Sequence, residues 1–413
     1  MDITPHFPIQ TFEQEVTLPP IYSDSNTGTS IAPDASQLPQ RTTVANRTVT
    51  VSPGDDIQTA IKNLSNAGGG ILSMNPGIYV LTTTINIPSN IKIAGAGSSL
   101  SVIDFSNTAA QFSVVGSSAY ATGSVAISND GTGVVGTGTT WTAAMIGQSI
   151  LLEDFWYEIT AVADGTHLTI GSAYLGTTLS GATYTIVTTV DSVTINGLTL
   201  QNSTAALLKA RYVNVLNTDD IVYYNGLIGL DGDDSSFINI FNSACDSCGT
   251  GMTFNNFFFG TFFNNNVLNS TSGGGLICVN IRNWCIDVFS FQNNTGDALS
   301  FQDSSNNDVL DFSIQQTTGK GINFVSGNTD IGITSGVIKN SSSDAIKLTA
   351  TTDQCSINGL QIHDNTGWGI NIAASTCDNN IIGMNFLGTN TAGNVTDSGT
   401  GTKIRSNIGV ADN

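Results

Sequence analysis

The chain has 413 residues, 44 of them glycine, and only 11% are charged. Twelve Lys+Arg against 32 Asp+Glu give 12 − 32 = −20, which excludes a nucleic-acid binder and a surface that seeks anionic lipid, since both need basic charge. An apolar content of 40% fills a core, and no run approaches the roughly 18 apolar residues of a membrane span. Residues 1–48 read as an N-terminal arm, because Pro5, Pro8, Pro19, Pro20, Pro33 and Pro39 interrupt a segment without hydrophobic period. This arm is either a loose terminus or a tether that orders on a larger partner. Met1 to Gln10 lack the basic start and apolar run of a signal peptide.

At Pro53 the texture changes. Ile57, Ala60, Ile61 and Leu64 fall at helical spacing and predict a short cap helix, ended by Gly68, Gly69 and Gly70. Short strands follow over 71–74, 79–81, 85–87 and 91–93, so 49–116 reads as a cap with the first coils of a β structure. Residues 117–188 break this rhythm. Alternating runs at 133–141, 158–162 and 167–170 predict a small inserted antiparallel β domain, barrel-like in texture. Its aromatics (Trp141, Phe155, Trp156, Tyr157, Tyr174 and Tyr184) form either its core or a sugar-stacking face. Trp156, beside Glu153, is the candidate rim residue for substrate binding.

The main body, 189–413, carries a repeat. Leu227, Met252, Leu276, Leu299, Ile322, Ile346 and Ile370 follow at steps of 25, 24, 23, 23, 24 and 24. A second apolar column runs Val267, Phe291, Ile314, Ile338, Ile362 and Phe386, at steps of 24, 23, 24, 24 and 24. A fixed period of this size means stacked units. Each unit is a set of three-to-five-residue β runs separated by Gly, Asn, Asp or Ser, without a helix-length segment. The prediction is an all-β, right-handed parallel β-helix with coils of about 24 residues, stacked about 4.8 Å apart, whose inward columns are apolar because stacking buries them.

Coil phase places candidate chemistry. Two residues before the apolar anchors lie Asp297, Lys320, Asp344 and Trp368, stacked along one edge. Asp297 and Asp344, two coils apart at roughly 9–10 Å, are the candidate catalytic pair, close to the ~6.5–9.5 Å of an inverting glycosidase. Lys320 between them favours their ionised forms, and Trp368 offers a platform for a sugar ring. The bland alternative is an exposed charge ladder worth little. Four residues after the anchors lie Asp231, Asn256, Asn280 and Asp303, either a hydrogen-bonded ladder at a turn or a groove lining, with Asp303 a candidate substrate contact. His363 lies beside Lys339 and Asp364 and is expected to point outward without a catalytic part. Cys245 and Cys248 have zinc-like spacing, but no second such pair or His pair follows, so neither metal nor cofactor is expected and the six cysteines are expected as buried thiols.

The opening pattern, with Ile57 to Ile61, the Gly68 to Gly70 run, Asn75-Pro76-Gly77-Ile78-Tyr79, Ile87-Pro88-Ser89-Asn90 and Ile93-Ala94-Gly95-Ala96-Gly97, resembles pectate-lyase-like β-helix proteins. That family holds polysaccharide lyases, glycosidases and bacteriophage tailspikes. The insert, from Gly136 through Thr178, resembles a small β module of phage tail proteins. The resemblance implies a tailspike-like virion protein that binds host surface polysaccharide, with or without depolymerase activity. It implies a homotrimer joined to tail or baseplate proteins through the arm. The alternatives are a non-catalytic adhesive or structural virion component, and a cellular polysaccharide lyase or glycoside hydrolase. Asn217-Thr218-Asp219 with Asp233-Asp234 is similar to the polygalacturonase pattern of water-activating and proton-donating aspartates, but its Gly-His-Gly and Arg-Ile-Lys elements are absent.

Overall fold

The structure is a computed structural model that describes residues 47–409, apart from Asp154 and the side chains of Ser118 and Ala119. The predicted arm and its tether therefore lie, up to residue 46, outside the described residues. The rest is a right-handed parallel β-solenoid of about 15 turns of about 24 residues, with a small antiparallel sheet.

The N-terminal cap is one amphipathic helix, α1 (Ile57–Asn66), with Ile57, Ile61 and Leu64 buried. Asp56 starts it by accepting a hydrogen bond from the Thr59 amide at 2.9 Å, which satisfies one of the orphan donors of a first helical turn. Gly69, at φ +113°, ends it where a Cβ would collide with the Asn90 carbonyl. The buried face of α1 joins the same core as the coils, so the helix covers an end of the solenoid that would otherwise expose apolar residues and strand edges.

Three inward columns fill the solenoid. One face stacks Phe262, Ile286, Val309, Ile333, Ile357, Ile382 and Ile404. The second stacks Leu200, Tyr223, Cys245, Val267, Phe291, Ile314, Ile338, Ile362 and Leu387. The third stacks Leu208, Leu230, Met252, Leu276, Leu299, Ile322, Ile346 and Ile370. The two predicted columns are the second and third, with one substitution at an end of each. Leu230, not Leu227, pairs with Met252, and Leu227 is 56% exposed. Leu387, not Phe386, pairs with Ile362, and Phe386 is 50% exposed. In both cases two apolar residues compete within three positions, and strand alternation admits only one to the interior.

Corners between faces are made by residues in the left-handed region and by buried asparagines. Asn265 accepts from the Ser243 amide and donates to the Ile240 carbonyl, both at 2.8 Å. Asn294, Asn328, Asn365 and Asn385 repeat the arrangement on other coils. Each amide thus ties one coil to its neighbour while satisfying backbone groups that a corner leaves unpaired. All six cysteines are free thiols, five buried and Cys285 half-buried. Burial pushes the Cys355 thiol up to about 12, as suits an inert packing residue.

The insert is an eight-stranded antiparallel sheet. Its strand order is Leu179–Ala182, Ser124–Ile127, Gly133–Thr137, His167–Ile170, Phe155–Asp164, Ser149–Leu152, Tyr184–Thr188, Ser117–Tyr120. No described ladder joins its two outer strands, so the sheet is not closed into the barrel that its texture suggests. It has its own core, in which Trp141, Tyr157, Tyr174 and Tyr184 are buried. Trp141 Nε1 donates to the Tyr184 hydroxyl at 3.0 Å, which donates to the Thr122 carbonyl at 2.7 Å.

Burial pushes the Tyr184 hydroxyl up to about 12, against about 10 in an unfolded chain. The stability this group contributes is complete below pH ~10 and is lost as pH rises toward 12, because the unfolded state gives up its proton first. Thermal unfolding of the insert, followed by near-ultraviolet dichroism, is expected to weaken across that window. Tyr184→Phe is expected to lower the plateau and flatten the dependence; an unchanged slope would remove Tyr184 from it.

Candidate functional site

The outward side of the third face is where the candidate residues gather. Asp297 sits at its leading edge, half-buried. Its Oδ1 accepts from the Lys320 amide at 2.8 Å and from Lys320 Nζ at 3.5 Å, and its Oδ2 accepts from Asn323 Nδ2 at 2.7 Å. Asp344, two coils on and 8% exposed, repeats the arrangement with Trp368 N and Asn371 Nδ2, each at 2.8 Å. Both carboxylates therefore hold one coil to the next. Lys320 pairs with Asp297 alone among the described ion pairs. Trp368 lies with its ring on Gly393 of the following coil, where a Cβ would collide with it. The backbone thus covers one face of the indole.

The turn column is a ladder with one member exchanged. Asn280 Nδ2 donates to Asn256 Oδ1 at 2.9 Å, and Asn256 Nδ2 to Asp234 Oδ1 at 2.8 Å. Asp234, not Asp231, is its first rung. Asp231 lies three residues earlier, paired with Lys209 at 3.7 Å and accepting from the Thr253 hydroxyl at 2.7 Å. The ladder residues share left-handed φ values of 44° at Asp234, 59° at Asn256 and 49° at Asn280, a conformation that Asn and Asp tolerate best after glycine. Asp303 continues the column at φ 50°. It is exposed, and its carboxylate accepts only from the neighbouring Gln302 Nε2, at 3.2 Å, among the described hydrogen bonds.

A charged cluster adjoins this ladder, in which Arg211 joins the Asp233-Asp234 pair. Arg211 bridges Asp233 at 3.2 Å and Asp234 at 2.9 Å, and its guanidinium lies 4.6 Å over the Tyr212 ring. Burial, with Asp234 beside it, raises the Asp233 carboxyl above the usual range despite Arg211. Asn217 and Asp219 do not join Asp233: they pair in register with Thr194 and Asn196 on the first face, whereas Asp233 pairs with Arg211 and Asn255 on the third. The polygalacturonase constellation is therefore not assembled here.

The inserted module closes over the ladder. Phe155 stacks on Phe258 at 5.8 Å, and Trp156 meets Tyr212 edge-on at 6.3 Å. Between them lies a crevice of about 100 Å³, with Glu153 and Trp156 on one side and Asp234, Asn256, Phe258 and Asn280 on the other. A more apolar groove of about 400 Å³ runs between α1 and the roots of the insert, past Ile61, Pro88, Val115 and Val190, away from every predicted site residue. On the first face, Asp287 Oδ1 is buried without a hydrogen-bond partner. Asp308, on the next coil, has its carboxyl raised by partial desolvation although the residue as a whole is exposed. Their Cα atoms are about 8 Å apart from strand geometry. No group of three or more metal-ligating side chains occurs among the described residues. His363 contacts Asp364 at 2.7 Å and borders Lys339 in register.

No family model and no curated relative matches the sequence. The fold has counterparts among solved structures. The tailspike protein gp49 of Pseudomonas phage LKA1 aligns over 86% of this chain and 74% of its own, at 16% identity and a TM-score of 0.52. The Dettilon tailspike protein gp208 aligns over 86% of this chain and 65% of its own, at 13% identity and a TM-score of 0.55. The chain thus spans about two thirds to three quarters of these tailspikes. What it shares with them is the architecture of a right-handed parallel β-helix.

Proposed function

We propose that this chain is a tailspike-like virion protein whose solenoid wall binds host cell-surface polysaccharide. The observation that carries the reading is the make-up of the third face. One outward column runs Thr253, Ile277, Ser300, Asn323, Lys347 and Asn371 in register, with Asn255 and Gln302 in the column beside it, between the half-buried indoles of Trp156 and Trp368. Amide and hydroxyl groups flanked by aromatic surface suit a sugar, which offers hydroxyls at its edges and C–H bonds on its faces. Attachment to a tail or baseplate through residues 1–48, and a homotrimer, complete the proposal. Light scattering is expected to return three times the chain mass.

Binding without cleavage is the form best supported, because Asp297 and Asp344 already accept two or more hydrogen bonds each. A second reading, hydrolysis, draws on Asp287 and Asp308, whose carboxylates have no hydrogen bond among those described and which project from the same face of adjacent coils. Immobilised neutral and acidic bacterial polysaccharides, with new reducing ends followed in parallel, test both readings. Retention without new ends is the expected result. New ends abolished by Asp297→Asn or Asp344→Asn would restore that pair as catalytic, and new ends abolished only by Asp287→Asn or Asp308→Asn would establish the second reading. No retention on any polysaccharide would overturn the proposal.

A further inference from the structure

The crevice between module and ladder says which part of a sugar it can take; the inference rests on the glycan-binding reading above. At about 100 Å³ it is well short of the ~300–1,000 Å³ of pockets that enclose a whole drug-sized ligand. It matches a substituent projecting from a ring. Its apolar part is Leu151, Phe258 and the Trp156 ring, and its polar part is the amide ladder.

The polar side chains around it are partnered, with one exception. Glu153 accepts from the Tyr174 hydroxyl at 2.6 Å, Asp234 from Arg211 and Asn256, and Asn256 from Asn280. Trp156 Nε1 is buried and has no acceptor among the described residues. An indole nitrogen only donates, and a buried donor left unpaired is costly, so the group that completes the site is an acceptor. Charge decides which kind. Glu153 and Asp234 already bring two carboxylates to the crevice, and a third negative charge beside them is repelled strongly at low dielectric. The acceptor is therefore a neutral carbonyl, and the adjoining apolar wall calls for a methyl group attached to it.

We infer that this junction is a subsite for the acetamido group of an N-acetylated sugar. The acetyl oxygen takes the hydrogen bond from Trp156 Nε1, the methyl packs on Phe258, and the amide N–H faces the oxygens of the ladder. Slight sliding of the two ring contacts, Phe155 on Phe258 and Trp156 on Tyr212, admits the group to the indole nitrogen.

Saturation-transfer NMR on the full chain tests this with three trisaccharides that share a β-1,4-linked gluco backbone: chitotriose (acetamido at C2), cellotriose (hydroxyl at C2) and the β-1,4-linked glucuronate trimer (carboxylate at C6). Chitotriose is expected to bind, with strongest saturation at its acetyl methyl protons, and the glucuronate trimer is expected not to bind. Trp156→Phe, which keeps the ring and removes the donor, is expected to weaken chitotriose about tenfold, the worth of one hydrogen bond. Asn256→Gly, which tolerates the left-handed corner, is a second variant expected to weaken it without unfolding the chain. Equal binding of cellotriose, or chitotriose binding untouched by both variants, overturns the subsite. So does a chain that ignores chitotriose yet retains a bacterial polysaccharide, and in that case the glycan-binding reading stands. Failure to bind any glycan overturns both.

Discussion

Asn265→Leu is expected to destabilise the solenoid by about 2–4 kcal/mol. Leucine matches the side chain in branching and heavy-atom count but offers no polar atoms. The Ser243 amide and the Ile240 carbonyl, both bonded by Asn265 at 2.8 Å, would be left unpaired in a site where Asn265 has no exposure. Each unsatisfied buried group costs ~1–3 kcal/mol, and the added apolar burial offsets only part of that. Because each coil touches only its neighbours, the damage is local at first. Hydrogen exchange should rise most around residues 240–267, and the urea midpoint should fall with the slope of the transition unchanged. An unaltered midpoint and exchange pattern would mean that the buried asparagines only fill turns.

Phe291→Ala is expected to cost more, about 3–5 kcal/mol, through a cavity that the stack cannot collapse. The ring is fully buried. It meets Phe289 at 4.8 Å and Phe262 at 6.4 Å, and lies in register between Val267 and Ile314. Strand spacing holds those neighbours apart, so the hole stays open where a looser core would repack. Phe291→Leu should recover most of the loss, since it restores volume. A difference between the two variants smaller than about 1 kcal/mol in chemical denaturation would mean that the aromatic pile contributes little beyond its area.

The fold was legible because burial in a stacked coil writes itself into the sequence at a fixed period. Leu276, Leu299, Ile322, Ile346 and Ile370 can be aligned by counting, and their register is the one observed. Counting failed where the coil length changed. Leu230 lies 22 residues before Met252, shorter than the prevailing step, and Leu227 preserved the rhythm better while pointing outward. The first face went unread for a related reason, since its corners vary in length and Thr218, polar in composition, is buried on it with no exposure.

The site was less legible. Asp297 and Asp344 drew attention through charge and spacing, but spacing alone cannot show that both carboxylates bond the following coil. Asparagine suits exposed turns and buried ties equally well, so the role of Asn265 or Asn385 depends on which way a corner folds. Trp156 stood out in sequence as a rim residue. Its partners across the crevice, Asp234, Asn256 and Phe258, lie 78 to 102 positions away, and no local pattern links them to it.

Hydrogen exchange of the full chain, with and without a polysaccharide that it retains, tests the central claim most directly. Bound glycan is expected to slow exchange on the outward third face, from 253–256 through 297–303 to 368–371, and in the module strand that carries Trp156. Protection confined to other parts of the chain, or no change with any polysaccharide, would contradict the assignment of this wall as the glycan-binding surface.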